Sequence, residues 1–199
     1  MSKFLALHDR RLLGLVPPQR ELAVVNLTPT TPLGNAFRAI RENAERIPIK
    51  ALFVFCHGYS GINRRERVSL DAGGMGLQLG KEEVMHHNVS MWRAIRDKVE
   101  MIVVYSCAAA DTQPGNAGTT ADGRYLMGAL AIYTNAVVYA ADKIQHYLTG
   151  LDRRHGHVDF GPWEGTILKF APGGQNPERV KGTPWKYSVP IKRGDRDLV

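Results

Sequence analysis

The chain reads as an α/β domain, a three-layer α/β/α sandwich with a mainly parallel central sheet. Two stretches carry that reading: Ala51-Leu-Phe-Val-Phe-Cys-His57-Gly58 and Met101-Ile-Val-Val-Tyr-Ser-Cys107-Ala108, whose polar ends lie fifty residues apart. Each is a short, nearly continuous apolar run, the pattern of a strand buried on both faces in a helix-covered parallel sheet. Helical periodicities before and between them supply the third observation. Such sheets carry their chemistry beyond the carboxyl ends of the strands, so His57 and Cys107 are expected side by side if the two strands are neighbours.

In chain order, residues 1–20 hold Pro17-Pro18 and mixed charge and read as an N-terminal arm. The arm leads into a strand over 21–27, which the Pro29 and Pro32 cluster ends. Over 34–47 the apolar Ala36, Phe37, Ile40, Ala44 and Ile47 recur at steps of three and four, with Arg38, Arg41, Glu42 and Glu45 between them. That is an amphipathic helix stopped by Pro48. After the strand ending at His57, the charged segment 58–74 is a loop, and Gly58, Gly61, Gly73 and Gly74 make its backbone permissive. Residues 75–79 read as a short strand. A helix then presents Met91, Trp92, Ile95 and Val99 on one face, with Asn88 or Ser90 as its cap. Strand, excursion, helix and parallel strand make the ordinary right-handed crossover.

Beyond Cys107, the Gly-, Thr-, Asn- and Pro-rich stretch 111–122 reads as a loop. A helix over 123–135 is expected to bury Leu126, Ala129, Leu130 and Tyr133, followed by a strand over 136–140, a helix over 142–151 and a last strand over 163–170. The domain is expected over 21–171, with a basic, irregular tail over 172–199.

Composition narrows the function classes. Hydrophobic residues at 44% and charged residues at 23% match an ordinary globular domain, and 199 residues suffice for a core without staples. No apolar stretch approaches the roughly 18 residues of a membrane span, and the amino terminus lacks the apolar run of a signal peptide. The expectation is a cytoplasmic chain with no membrane partner, with export by a signal-less route left open. Two cysteines, Cys56 and Cys107, support neither a disulfide framework nor a thiolate zinc site. By strand alternation Cys56 faces away from His57, toward a helix layer, as a small buried hydrophobe. The net charge of +7 is spread through Arg10, Arg11, Arg38, Arg41, Arg64, Arg65, Arg67, Arg153 and Arg154. Without an interleaved aromatic pattern it reads as solvated surface, and nucleic acid is not expected as a partner. The pairs His86-His87 and His155/His157 lack converging partners, so no metal and no cofactor is expected.

At the two strand ends the sequence resembles the caspase-like cysteine peptidases, a superfamily that includes metacaspases, gingipains, separase and the bacterial CHAT-type domains. The matching features are the apolar strand into His57-Gly58, the apolar strand into Ser106-Cys107, and their separation, which agrees with the caspase histidine lying about 50 residues upstream of its cysteine. Gly123-Arg-Tyr-Leu-Met-Gly-Ala-Leu-Ala131 followed by Asn135-Ala-Val-Val-Tyr-Ala-Ala141 resembles the helix and strand after the cysteine in the bacterial branch, and the likeness spans 51–170. Caspases carry Gln-Ala-Cys-Arg-Gly where this chain has Tyr105-Ser-Cys107-Ala-Ala109, and Tyr105 stands where metacaspases place an acidic residue.

The resemblance implies a caspase-like fold and a cysteine endopeptidase acting on a protein or peptide substrate through Cys107 and His57. It assigns the oxyanion site to the backbone N–H groups of Gly58 and Cys107. A free thiol, with an ordinary pKa of about 8.5, needs a base beside it; an imidazole can take the thiol proton and return it to the leaving amine. Asp111 and Asp142, each just past an expected strand, are candidates for a basic substrate side chain. Two other readings stand beside this one. The first is a catalytically silent caspase-like module for binding or signalling, or an enzyme awaiting an activating partner. The second is an α/β-hydrolase, suggested by Cys56-His57-Gly58-Tyr-Ser-Gly61 but lacking the Gly-x-Ser-x-Gly elbow.

Overall fold

The computed structural model describes residues 3–17, 21–45, 47–59, 73–145, 163–174 and 176–182. Its strands are β1 (Phe4–Asp9), β2 (Leu22–Leu27), β3 (Ala51–Phe55), β4 (His57–Gly58), β5 (Leu77–Gln78), β6 (Met101–Tyr105), β7 (Val137–Ala141), β8 (Ile167–Phe170) and β9 (Glu178–Val180). Helices α1 (Leu33–Asn43) and α2 (Gly123–Thr134) and a 3-10 helix at Val89–Ile95 complete the described elements. Seven strands form one mixed sheet in the order β2-β1-β3-β6-β7-β8-β9. The first five run parallel; β8 and β9 join antiparallel. The protein is therefore α/β with a mainly parallel sheet.

Alternation along the strands divides the core. Leu5, Leu7, Leu52, Val54, Cys56, Ile102 and Val104 pack with Phe37 and Ile40 of α1, Trp92 of the 3-10 helix and Leu126, Met127 and Leu130 of α2. Cys56 thus faces the helix layer, as its place in the strand pattern requires. The other face gathers Ala6, Ala51, Phe53, Phe55, Val103 and Tyr105 under Leu12, Val16 and Trp163. Phe55 stacks on Tyr105 with centroids 4.8 Å apart, and Tyr105 on Trp163 at 5.0 Å. All three described helices lie on the first face.

Several expectations are corrected. Residues 4–9 are not part of an arm outside the domain: β1 is inserted between β2 and β3, and Leu5, Ala6 and Leu7 are fully buried. The helix expected to present Met91, Trp92, Ile95 and Val99 on one face is a seven-residue 3-10 turn, because its buried residues Val89, Trp92 and Ile95 recur every third position, the 3-10 repeat; Met91 is exposed. Asn88 stands at its N-cap position without a side-chain cap bond and instead ties the preceding loop, its amide donating to the Glu82 carbonyl at 2.9 Å. Residues 142–145 are not helical, and the rest of the helix expected over 142–151 lies outside the described residues. The tail is not wholly irregular, since β9 pairs with β8, while 183–199 lie outside the described residues. Helix α2 fits its expected span closely, because Asp122 caps its start by accepting from the Tyr125 N–H and Asn135, at φ 56°, ends it in the left-handed conformation.

Candidate active site

Strands β1, β3 and β6 are neighbours, and their carboxyl ends fall on one edge. The chain leaves β1 toward β2 on one side and returns to β3 on the other, so this edge includes the point where the winding reverses, the usual ligand position of an open parallel sheet. Residues following each of the three strands meet there.

After Phe55 the chain turns out of the sheet, and His57 and Gly58 pair antiparallel with Gln78 and Leu77. Cys107 follows β6, whose last residue Tyr105 is in register with Phe55. The two segments touch through their backbones: a Cβ on Gly58 would strike the Cys107 carbonyl oxygen and come within 3.1 Å of that carbonyl carbon and of Ser106 Oγ. Only glycine permits this approach. Directly after Cys107, Ala108 adopts φ 46°, a left-handed conformation that costs a non-glycine residue roughly 1–2 kcal/mol. Bonds from Ala108 N–H to the Lys143 carbonyl (2.8 Å) and from Ala110 N–H to the Ala141 carbonyl (3.0 Å) hold the turn on the end of β7. Its small side chains leave room for Gly73, whose own Cβ would collide with Ala108.

The Cys107 thiol donates to the Gln145 carbonyl at 3.3 Å. Gln145 is itself fastened, its amide nitrogen donating to the Lys143 and Glu164 carbonyls (2.9 and 2.8 Å) and its amide oxygen accepting the Glu164 N–H (3.0 Å). Burial raises the Cys107 pKa above its ordinary value and the Glu164 carboxylate adds to this; the backbone of Gln145 and of Gly58 acts the other way. His57 Nε2 lies 3.3 Å from the Arg11 carbonyl oxygen. A carbonyl can only accept, so this contact calls for the tautomer with the proton on Nε2, leaving Nδ1 able to receive one. Among the described residues no hydrogen bond joins the His57 ring to the Cys107 thiol.

The two carboxylates expected to receive a basic substrate side chain both hold backbone. Asp111 is buried and accepts from Gly73 N–H at 2.9 Å and Gln113 Nε2 at 2.7 Å. Asp142 accepts from Thr166 N–H at 2.7 Å. Neither is bonded to Cys107 or His57 among the described residues. The ring of His86 stacks on Tyr125, centroids 5.5 Å apart, and no group of three metal-ligating side chains occurs among the described residues. His155 and His157 lie outside them.

Sequence reasoning missed Arg11, Gln145 and Glu164. A signal for Arg11 was present: Phe4-Leu-Ala-Leu7 is an apolar run ending on His8-Asp9-Arg10-Arg11, the pattern that marked β3 and β6. Gln145, through its carbonyl and side-chain amide, and Glu164, through its carboxylate and backbone groups, reach Cys107 only by tertiary position, which leaves no signature in composition or spacing.

No protein-family model, no curated protein and no solved structure matches the chain.

Proposed function

We propose that the chain is a cysteine peptidase of the caspase-like kind, with Cys107 as nucleophile and His57 as general base. The observation that carries the reading is the backbone contact of Gly58 with Cys107 at the ends of adjacent parallel strands. In the proposed reaction the Cys107 sulfur attacks a peptide carbonyl while His57 Nδ1 takes the thiol proton. The negative charge on the carbonyl oxygen is met by the N–H groups of Gly58 and Cys107. Collapse expels the amine, which receives the proton from His57, and leaves a thioester; water, deprotonated by His57, then releases the acid and restores the thiol. Burial raises the Cys107 pKa, which favours proton transfer during attack over a preformed thiolate. Substrates on this reading are proteins or peptides, and the chain acts in the cytoplasm.

One observation favours a second reading, a silent module or an enzyme awaiting a partner: the thiol is bonded to the Gln145 carbonyl rather than to His57. The test is to expose a mixed peptide library to the native chain, Cys107→Ser and His57→Ala, and sequence the new amino termini. Cleavage by the native chain alone supports the peptidase. Identical products from all three, or none from any, with a Cys107 alkylation rate indifferent to His57→Ala, would sink it in favour of the silent module.

A further inference from the structure

Arg11 reaches both ends of the segment His57-Gly58-Tyr59. Its carbonyl oxygen lies 3.3 Å from His57 Nε2, while its guanidinium Nη1 donates to Glu83 Oε1 at 3.2 Å. The Tyr59 hydroxyl donates to that same Glu83 oxygen. A closed ring results, running from the Arg11 carbonyl through His57, Gly58, Tyr59 and Glu83 back to the Arg11 guanidinium. The glycine that touches Cys107 sits in the middle of it.

The ring is anchored in the sheet. Asp9, last residue of β1 and 0% exposed, accepts Arg11 Nε and Nη2 at 2.8 Å each and the Arg11 N–H at 3.0 Å. The Gly80 N–H donates to Asp9 at 2.8 Å, and Arg11 Nη2 donates to the Gly80 carbonyl at 3.0 Å, so the clamp grips the far end of the β5 loop as well. A two-oxygen carboxylate against a planar guanidinium fork leaves little rotational freedom. Glu83 sits at φ 60°, a left-handed backbone that a glutamate adopts only when its surroundings impose it. Burying an ion pair is a poor route to stability, since desolvation consumes most of the attraction. A half-buried pair, a strained glutamate bonded to the same arginine and a tyrosine held by that glutamate are better matched to fixing geometry.

We propose that Arg11, clamped by Asp9 and Glu83, is a positioning residue for His57: it fixes the ring in the Nε2–H tautomer and holds Gly58 against Cys107. This rests on the peptidase reading for its purpose, but its first readout does not. The experiment is nitrogen-15 NMR of the histidine rings in the full chain labelled at histidine, comparing native protein with Glu83→Gln, Arg11→Lys and Tyr59→Phe, and using His57→Gln for assignment. In the native chain His57 is expected as the Nε2–H tautomer. In Glu83→Gln and Arg11→Lys its two nitrogen shifts are expected to converge toward a tautomer average, while those of His8, held by the Leu12 carbonyl and Asn26, stay in place. The His57-dependent part of the Cys107 alkylation rate is expected to drop about tenfold or more in the same variants, the scale of a misplaced reacting group. Should Arg11→Lys fail to fold, Glu83→Gln and Tyr59→Phe carry the comparison, since both alter partly exposed side chains. Unchanged His57 shifts in folded Glu83→Gln and Tyr59→Phe overturn the proposal. If alkylation in the native chain ignores His57 while the tautomer still responds, the peptidase reading fails and the positioning role stands.

Discussion

Cys56 and Cys107 follow neighbouring strands, yet their thiols differ in reach. Full burial pushes the Cys56 thiol up to about 12, with the adjacent Ser106 hydroxyl easing this only in part, while Cys107 is half-buried and raised less. Iodoacetamide is therefore expected to label Cys107 alone in the folded chain, with a midpoint above the ordinary thiol value of about 8.5; Cys56 should label only after unfolding. Mass spectrometry of the alkylated peptides across a pH series checks both, and a Cys107 midpoint below 8 would mean that a preformed thiolate–imidazolium pair exists after all. Gly58→Ala is a second test at this scale. The added methyl meets backbone, which cannot rotate away, so the expected cost is about 1–3 kcal/mol in urea denaturation together with loss of His57-dependent alkylation. Full stability and full reactivity in Gly58→Ala would contradict the contact on which the candidate site is built.

Among the elements, β1 decides most. It pairs with both β2 and β3 over its length, and beyond its carboxyl end stands the Arg11 carbonyl. Leu5→Ala removes a fully buried side chain from the middle of this strand pair and is expected to cost about 2–5 kcal/mol, whereas the same change in an arm outside the domain would stay within about 0.5 kcal/mol. At the other side of the site, Asp122 caps α2 and also accepts from Gly118 N–H at 2.7 Å and Thr112 Oγ1 at 2.7 Å, ordering the loop over 111–122. Asp122→Ala should cost about 1–2 kcal/mol, and proteolysis in that loop should quicken; an unchanged urea midpoint would show that the loop orders itself by other means.

For the whole molecule, surface charge and buried charge behave differently. Arg41 donates to the Ala94 carbonyl, Arg96 to the Ile132 carbonyl, and Arg93 lies over the Tyr133 ring, so these parts of the basic surface bind neighbouring elements together. The buried groups set the acid limit. Burial lowers the pKa of His8, and the hydrogen bonds it makes only partly offset that. For Asp9 and Asp122 burial acts upward, but the hydrogen bonds they accept outweigh it and both lie below the usual carboxylate range. In all three the unfolded chain binds protons at higher pH than the folded one, so each contribution is present above the unfolded value and is lost as pH falls through the folded value. Stability in urea should decline below about pH 6.5 and again below about pH 4, with His8→Gln removing the first step; a flat profile from pH 7 to 5 in the native chain would contradict the buried neutral ring. No described helix is long and apolar enough to cross a membrane. The strands β3 and β6, the helix α2 and the places of His57 and Cys107 just past two strand ends were legible because each rests on a local pattern: an apolar run, a helical repeat, a polar residue at a strand end. The place of β1, the 3-10 turn at Val89–Ile95, the roles of Asp111 and Asp142 as backbone holders, and the ring through Arg11 were not. Those depend on which strand lies beside which and on carbonyl and N–H groups that every residue possesses, so only packing in three dimensions selects among them.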